Sequence, residues 1–461
     1  MRQRTTREYD LGPSTCMPKP AVLKSIRKQI KAGRALSRGD VRLAGAMGLV
    51  TADVKKPLGY NDGIFYPVTP GGPEMAGAKF VASAMAKVAS TKKKLHALTL
   101  LVDFSDNRGT RPAGDFQKLL FDAGNPKSMA SYYKAISYGN LTVTGEVIGY
   151  IRAPHPYGYY TNGESGTGEN FPNNTPGLLE DVLRIFTTTD SLGRFDTDGD
   201  GFVDGIFLIH AGGGAEAEPD PAKRKDEIWS HKWVLPKPFK NGGVSVYAYS
   251  TEPEDGRVGV FAHEFGHVLG LPDLYDTSYR SRGVGDWCLM GGGSWGGNGN
   301  DPTRMSCWCL AELGWVKPTN IKKARTLTLD TLENNRKACY RVWSKGKQGA
   351  EYFLLENRQA AGQDSALPGS GLAVWHIDEN QSENSNPPIY RVALTQADGK
   401  QQLENDVNAG DAGDLFPGTR KVKTFKDSTV PSAMANNGLP TGIALTNIAA
   451  KQGILSLKVK V

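Results

Sequence analysis

The chain carries at residues 263–273 the stretch HEFGHVLGLPD, in which two histidines stand four residues apart. Residues at this spacing lie on one face of a helix, so we predict that His263 and His267 converge on one metal ion. Glu264 follows the first histidine, close enough to act on a water at that ion but poorly placed to be a ligand. This division of labour is typical of a zinc site with its own general base.

The residues after the second histidine indicate where a third ligand lies. Gly270 can adopt a positive φ and end the helix, and Pro272 prevents the helix from resuming. The chain can then turn back so that Asp273 reaches the same ion. The alternative is a buried amphipathic helix whose histidines satisfy each other. It leaves the coincidence of five residues unexplained, so we favour zinc bound by His263, His267 and Asp273.

A second acidic motif, DTDGDGFVD at residues 196–204, has the spacing of a loop that wraps around a hard cation. The glutamate that closes an EF-hand loop is missing, because Phe207 stands at that position, inside the predicted strand 206–210. The alternative is an acidic turn without an ion, but crowded aspartates would repel one another. We therefore expect a structural calcium ion, and its predicted ligands are Asp196, Asp198, Asp200, Phe202 through its carbonyl, and Asp204.

Length and composition are those of a globular protein with more than one domain. The chain has 461 residues, of which 22% are charged and 39% hydrophobic, and its net charge is +7. The basic surplus lies before residue 45 and is not accompanied by a nucleic-acid motif, so we favour a solvated or prosegment-like surface over nucleic-acid binding. No run of about 18 or more apolar residues occurs, which excludes a transmembrane segment. We expect a monomer.

The amino-terminal residues and the cysteines leave two questions open. The first 20 residues are polar, are interrupted by prolines and lack the apolar middle of a secretory signal. The chain has five cysteines, an odd number, so a disulfide framework is not established. Cys16 could cap a zinc ion in a latent protease, but a lone cysteine is more often incidental.

The hydrophobic patterns divide the chain into three parts. Residues 1–95 form an N-terminal segment that could be a prosegment, residues 96–317 an α/β part that contains both metal motifs, and residues 318–461 a β-rich C-terminal domain. The predicted helices lie at 21–35, 79–94, 128–133 and 178–186, and the predicted strands at 97–104, 141–147, 352–356, 372–376 and 454–459.

With these motifs, the chain resembles the immune inhibitor A-type zinc metallopeptidases, a secreted bacterial family. The resemblance covers about residues 95–420. Its blocks include, in order, residues 137–147, 196–212, 228–231, 261–276, 286–291, 313–316, 351–358, 375–378 and 411–418. It implies an α/β (α+β) metzincin-like zinc protease domain followed by the β-rich domain, and a secreted location.

The resemblance also implies roles for individual residues. His263, His267 and Asp273 would be the zinc ligands, Glu264 the general base and acid, and Met290 the methionine packed beneath the metal. His231, His376 and Asp378 lie in similar blocks, but their spacing gives them no role. We expect the two histidines to be structural, with their hydrogen bonds satisfied.

Together these features predict a metalloendopeptidase that hydrolyses peptide bonds of protein substrates with one catalytic zinc ion. Glu264 would take a proton from the attacking water and deliver it to the departing amine. In a second hypothesis the third ligand is Glu312, on a later helix, but Gly270 and Met290 favour Asp273. In a third, the chain is a calcium-stabilised β-rich binding or adhesion protein with a vestigial protease site, although the intact Glu264 speaks against it.

Overall fold

We describe a computed structural model of the chain, which covers residues 93–461 apart from Asp200, Ser278 and Ser382, together with Ser14, Thr15, Ser25 and Lys28. The helix predicted at 21–35 is described only at Ser25 and Lys28, and both are helical. The helix predicted at 79–94 is described only at its last two residues. These begin a strand instead, so the prediction is wrong there.

A six-stranded sheet forms the first half of the described chain, in the order β1-β5-β6-β4-β2-β3. Strands β2, β3, β4 and β6 are parallel, whereas β5 is antiparallel to β6 and β1 to β5. The strands are β1 (Ser14–Thr15), β2 (Lys93–Asp103), β3 (Leu141–Arg152), β4 (Ile206–His210), β5 (His231–Asn241) and β6 (Val244–Pro253).

Helices cover both faces of this sheet, as expected for parallel strands with apolar residues on either side. Along β2, Ala97 and Leu101 belong to one apolar cluster, and Leu98 and Leu100 to the other. On the first face lie α1 (Ala113–Leu120), α2 (Met129–Ile136), α6 (Val258–Val268) and α7 (Cys307–Glu312); on the second lie α3 (Tyr157–Thr161) and α4 (Thr175–Phe186). A short helix, α5 (Pro221–Arg224), precedes β5.

Two further sheets form the second half, which confirms its predicted β-rich character. One has the order β12-β11-β10-β9-β7, the other β13-β14-β15-β8, and they share an apolar cluster that includes Val342, Phe353 and Leu455. The strands are β7 (Thr319–Ile321), β8 (Arg325–Leu329), β9 (Tyr340–Trp343), β10 (Glu351–Arg358), β11 (Gly371–Asp378), β12 (Val392–Leu394), β13 (Phe425–Lys426), β14 (Ala444–Lys451) and β15 (Ile454–Lys460).

One apolar core continues across the change in secondary structure near residue 318. The cluster that contains helix α6 also contains Trp308 from the first half and Trp375, Leu394 and Leu415 from the second. The halves are therefore packed as one body around this core. Among the described residues, no helix is long and apolar enough to span a membrane.

Candidate metal centre

Helix α6 carries both histidines of the motif and is buried along its whole length. Its end follows the prediction. Gly270 has a φ of +100°, and the N–H groups of Gly270 and Leu271 donate to the carbonyls of His267 and Gly266 at 3.1 Å each. The chain therefore leaves the helix in a left-handed turn that favours glycine. This turn returns the following residues toward the side of the helix on which the histidines lie.

Asp273 reaches the two imidazoles after this turn. Its Oδ1 lies 3.1 Å from Nε2 of His263 and 3.1 Å from Nε2 of His267, and the two Nε2 atoms are 3.2 Å apart. All three side chains are buried, with at most 1% of the surface exposed. Burial would raise the pKa of Asp273, but the two imidazoles outweigh it, so that the pKa is lowered. The three residues predicted to hold zinc thus form one compact cluster.

The donor atoms of this cluster fit a cation. Nδ1 of His263 lies 2.9 Å from the carbonyl oxygen of Leu289, and Nδ1 of His267 lies 2.9 Å from that of Leu271. Since a carbonyl only accepts, each Nδ1 carries a hydrogen, which leaves each Nε2 as the atom that would present a lone pair to a bound cation. The two Nε2 atoms and the carboxylate oxygen of Asp273 then face one another. Imidazole nitrogens and carboxylate oxygens are both ligands that zinc accepts in proteins.

Glu264 occupies the next position on the helix and is fully buried. Neither of its carboxylate oxygens has a hydrogen-bond partner within the part of the chain that the structure describes. Burial, and then the nearby carboxylates of Glu252 and Asp273, raise its pKa well above the usual range. A carboxyl group in this state holds a proton more readily than an exposed glutamate does.

Met290 packs against the metal-binding helix. A Cβ atom on Gly266 would lie 2.5 Å from Sδ of Met290, so the contact requires glycine at this position of the helix. The turn that bears Met290 also provides the Leu289 carbonyl for His263, and the Met290 carbonyl accepts from the N–H of Leu274 at 2.7 Å. One turn therefore supports the helix, one histidine and the chain next to Asp273.

The other candidate side chains lie away from the cluster. Burial and then Glu379 raise the pKa of Glu312, and Arg391 and Arg341 oppose this in part. Among the described residues, the only groups of side chains that could hold a metal ion are the histidine cluster and the loop at 196–204. Cys16 lies outside the described residues.

His231 and His376, for which the sequence predicted no role in the site, both have hydrogen-bond partners, as expected. Nδ1 of His231 lies 2.6 Å from the Trp229 carbonyl oxygen and its Nε2 3.0 Å from the Tyr249 hydroxyl, while His376 bonds Glu351 at 2.7 Å. Asp378 accepts from Asn380, Gln381 and Asn436. These contacts give each of the three side chains a structural function.

The acidic loop is folded around its own carboxylates. Oxygens of Asp196, Asp198 and Asp204 lie within 4.8 Å of one another, and Asp200 lies outside the described residues. Asp196 accepts from the N–H groups of Gly199 and Gly201 at 2.8 and 3.0 Å. Burial, opposed by hydrogen bonds, raises the pKa of Asp204. The loop leads directly into β4, as the sequence predicts.

Two acidic residues near Glu264 are absent from the sequence-based prediction. Glu252, on β6, is fully buried, and burial raises its pKa well above the usual range. Glu216 accepts from the backbone N–H and the hydroxyl of Ser230 at 3.0 and 2.7 Å, and burial also raises its pKa. The signal available in the sequence was a glutamate as the one charged residue in the strand 244–253.

Known proteins resemble this chain over the same region. The family described as immune inhibitor A peptidase M6, catalytic domain, matches residues 83–315. Immune inhibitor A of Bacillus thuringiensis subsp. alesti is 34% identical over an alignment of 224 residues, and the match covers 42% of this chain and 32% of that protein. The pre-pro-metalloprotease PrtV of Vibrio cholerae is 31% identical over an alignment of 313 residues, and the match covers 53% of this chain and 34% of PrtV.

The aligned parts thus span about a third of these relatives' own length. The family match begins before β2, ends after α7, and includes the histidine cluster, the turn that bears Met290 and the acidic loop. It covers half of the chain, and the chain belongs to the immune inhibitor A family of peptidases.

Proposed function

We propose that the chain is a monomeric, zinc-dependent metalloendopeptidase that hydrolyses peptide bonds of protein substrates. The observation that carries this proposal is the convergence of three buried atoms of metal-ligand type, 3.1 to 3.2 Å apart, beside Glu264, which has no hydrogen-bond partner among the described residues. Two names support it: the relative PrtV is called a metalloprotease, and the family is one of peptidases. No observation favours the binding or adhesion alternative.

In this proposal each residue has a separate task. His263, His267 and Asp273 hold the zinc ion, which when bound acts as a Lewis acid toward a water molecule and the substrate carbonyl. Glu264 accepts a proton from the attacking water and transfers it to the nitrogen of the departing amine. The backbone carbonyls of Leu289 and Leu271 fix the orientation and tautomer of the rings.

Replacement of Glu264 by glutamine tests the mechanism directly. We expect Glu264→Gln to bind zinc as the wild type does and to lose at least about 10²–10⁴-fold in the rate of casein cleavage, because the general base is gone. Zinc content is measured by elemental analysis and cleavage by release of soluble peptides. The matched control is Glu333→Gln at an exposed site, which should cleave normally.

The wild-type protein provides the second arm of this experiment. A chelator should abolish cleavage and added zinc should restore it. If zinc-loaded Glu264→Gln still cleaves casein at the wild-type rate, the proposed role of Glu264 is wrong.

We further propose that the catalytic part is metzincin-like. Its supports are the third ligand beyond a glycine turn and the methionine beneath the helix, at Gly270, Asp273 and Met290. We also propose that the loop at 196–204 binds a structural calcium ion through Asp196, Asp198, Asp200, the Phe202 carbonyl and Asp204. The supports are the clustering of three of these carboxylates and the positive φ of Gly199 and Gly201, which lets the loop close on itself.

Finally, we propose that residues 1–95 are a removable prosegment of a secreted enzyme, ahead of a catalytic domain at 96–317 and a β-rich domain at 318–461. Ser14 and Thr15 pair with Lys232 and His231 of strand β5. Burial and neighbouring carboxylates raise the pKa of Glu264, and the charge of Lys232 opposes this in part, so the paired strand is near the metal centre. The metal ligands are buried in the full chain, and the relative PrtV is named a pre-pro-metalloprotease. A mass spectrum of the mature protein would locate its first residue.

A further inference from the structure

Four buried cysteines form two facing pairs, and each pair includes one cysteine of helix α7. Sγ of Cys288 lies 3.8 Å from Sγ of Cys309, and the thiol of Cys307 is in hydrogen-bonding contact with that of Cys339. All four side chains are fully buried and reduced in this structure. Every cysteine among the described residues thus has another as its neighbour.

The geometry defines which cysteine faces which. Residues two apart on a helix point in different directions, so Cys307 and Cys309 at the start of α7 face different neighbouring cysteines and not each other. Four cysteines allow three pairings, and only one joins both sets of neighbours. A disulfide needs a sulfur–sulfur distance of about 2.05 Å, so Cys288 and Cys309 need to approach by less than about 2 Å, which side-chain rotation can provide.

The surroundings of the first pair favour thiolate chemistry at one sulfur. The N–H of Ser306 donates to Sγ of Cys288 at 3.2 Å, and its hydroxyl lies 3.4 Å from Sγ of Cys309. Burial would raise the pKa of Cys288, but hydrogen bonds from Cys309, Ser306 and Met290 outweigh it and lower the pKa to about 7. A thiolate next to a second thiol is the arrangement from which disulfides form.

We propose that the chain forms two disulfides in an oxidising compartment, Cys288–Cys309 and Cys307–Cys339. The oxidant is a disulfide, either glutathione disulfide or that of an oxidoreductase. The thiolate of Cys288 attacks one of its sulfurs and releases one thiol. The thiolate of Cys309 then attacks Sγ of Cys288 and releases the second thiol. Two cysteine thiols are oxidised, one disulfide is reduced, and both protons end on the released thiols. Cys307 and Cys339 react in the same way.

The two bridges would link the parts of the molecule that support the metal centre. Cys288 immediately precedes Leu289, whose carbonyl accepts from His263, so the first bridge ties that turn to α7. Cys339 immediately precedes β9 in the second half, so the other bridge ties α7 to the β-rich sheets. Covalent links of this kind restrict the unfolded chain and stabilise the fold.

Thiol labelling of the full chain tests the pairing. The protein is refolded in a glutathione redox buffer, denatured in the presence of N-ethylmaleimide without reductant, and digested. Peptides with Cys288, Cys307, Cys309 and Cys339 should be unlabelled, and mass spectrometry should find the 288–309 and 307–339 cross-links. Reduction before labelling should label all four. Labelling of all four without reduction, or cross-links in another pairing, would overturn the proposal.

Thermal unfolding gives an independent readout. Both samples contain a chelator, so metal loss contributes equally. We expect reductant to lower the Tm of the oxidised wild type by about 5–10 °C. For Cys288→Ala/Cys309→Ala we expect a smaller decrease on reduction, because only the second bridge is left to break. An unchanged wild-type Tm on reduction would show that the thiols are unpaired and contradict the proposal.

Discussion

Backbone carbonyls, rather than acidic side chains, orient the two metal-binding histidines. His263 and His267 each donate through Nδ1, to Leu289 and Leu271 respectively. A carbonyl fixes the ring and its tautomer without adding a negative charge, so the local charge of the cluster comes from Asp273. The position of the rings therefore depends on the path of two loops, one just after α6 and the other at Met290. Substitutions that shift either loop are expected to weaken metal binding although they remove no ligand.

The identity of the third ligand gives the first prediction at the residue scale. We expect Asp273→Ala to lower zinc affinity by at least about 10-fold to 100-fold, because the substitution removes the single oxygen from the cluster. Glu312→Ala should bind zinc as the wild type does, since its carboxylate is close to Arg341 and Arg391 instead. Zinc affinity is measured by competition with a chromophoric chelator. The reverse order of affinities would move the third ligand to Glu312.

At the scale of single elements, the close packing of α6 depends on a glycine that the sequence motif does not include. A Cβ atom on Gly259 would lie 1.9 Å from the carbonyl oxygen of Ser294, and this neighbour is backbone that cannot rotate away. The helix therefore contacts the segment at residues 292–299 directly. This contact holds the first turn of the helix that bears the proposed zinc ligands His263 and His267.

Replacement of this glycine should destabilise the protein. We expect Gly259→Ala to lower the free energy of unfolding by roughly 1–3 kcal/mol or more, because one chain segment must move to admit the methyl group. The control is Gly158→Ala, in helix α3, where a Cβ would meet nothing within 4 Å. That variant should be neutral or slightly more stable, since alanine favours a helix. Thermal unfolding of both variants measures the difference, and equal effects would contradict the close contact.

The acidic loop allows a prediction of the same kind for calcium. Added calcium should raise the Tm of the wild type, since an ion that binds only the folded state stabilises by about 2.7 kcal/mol at 100 times its Kd. In Asp198→Asn the increase should be smaller, because one carboxylate of the cluster is lost. Asp226→Asn, at an exposed site outside the loop, should behave as the wild type does. An equal response in all three proteins would mean that the loop binds no calcium.

In the whole molecule, hydrogen bonds as well as the apolar core connect the two halves. Nε1 of Trp287 donates to Asp414 at 3.0 Å, the guanidinium of Arg358 donates to the Trp287 carbonyl at 2.8 Å, and Glu356 accepts from the N–H of Cys307 at 2.6 Å. These residues are buried. Removal of either half of the chain would leave buried polar groups of the other half without hydrogen-bond partners.

This packing predicts that the catalytic part does not fold alone. We expect a chain truncated after residue 317 to be insoluble or to lack a cooperative unfolding transition, because it exposes Trp287 and Trp308 and loses Arg358, which donates to the Trp287 carbonyl. Circular dichroism and a thermal scan check this. Co-expression with residues 318–461 as a separate chain is the matched control and should restore a transition. A truncated chain that unfolds cooperatively by itself would contradict the prediction.

The sequence predicted those features that depend on neighbours along the chain. The turn at Gly270, the return of Asp273 and the entry of the acidic loop into β4 all follow from local backbone chemistry, and the structure agrees with them. The shared core around Trp375, the facing cysteines and the buried Glu252 depend on which strands become neighbours. One sequence contains little information on such distant pairs, so these features required the structure.

Strand β5 has a consequence for how the protein behaves in concentrated solution. Its sequence contains Pro236 and Pro238, which lack an N–H, and its register with β6 is interrupted between Val234 and Phe239. Lys237 and Lys240 add like charges along the same stretch. Among the described residues β1 pairs with β5 at His231 and Lys232, and only loss of β1 would open this position to another chain; further along, the prolines and lysines make β5 a poor template, so we expect it to resist growth into fibrils. Processing at the amino terminus would therefore expose only a short segment for strand addition, and soluble enzyme rather than aggregates is the expected product.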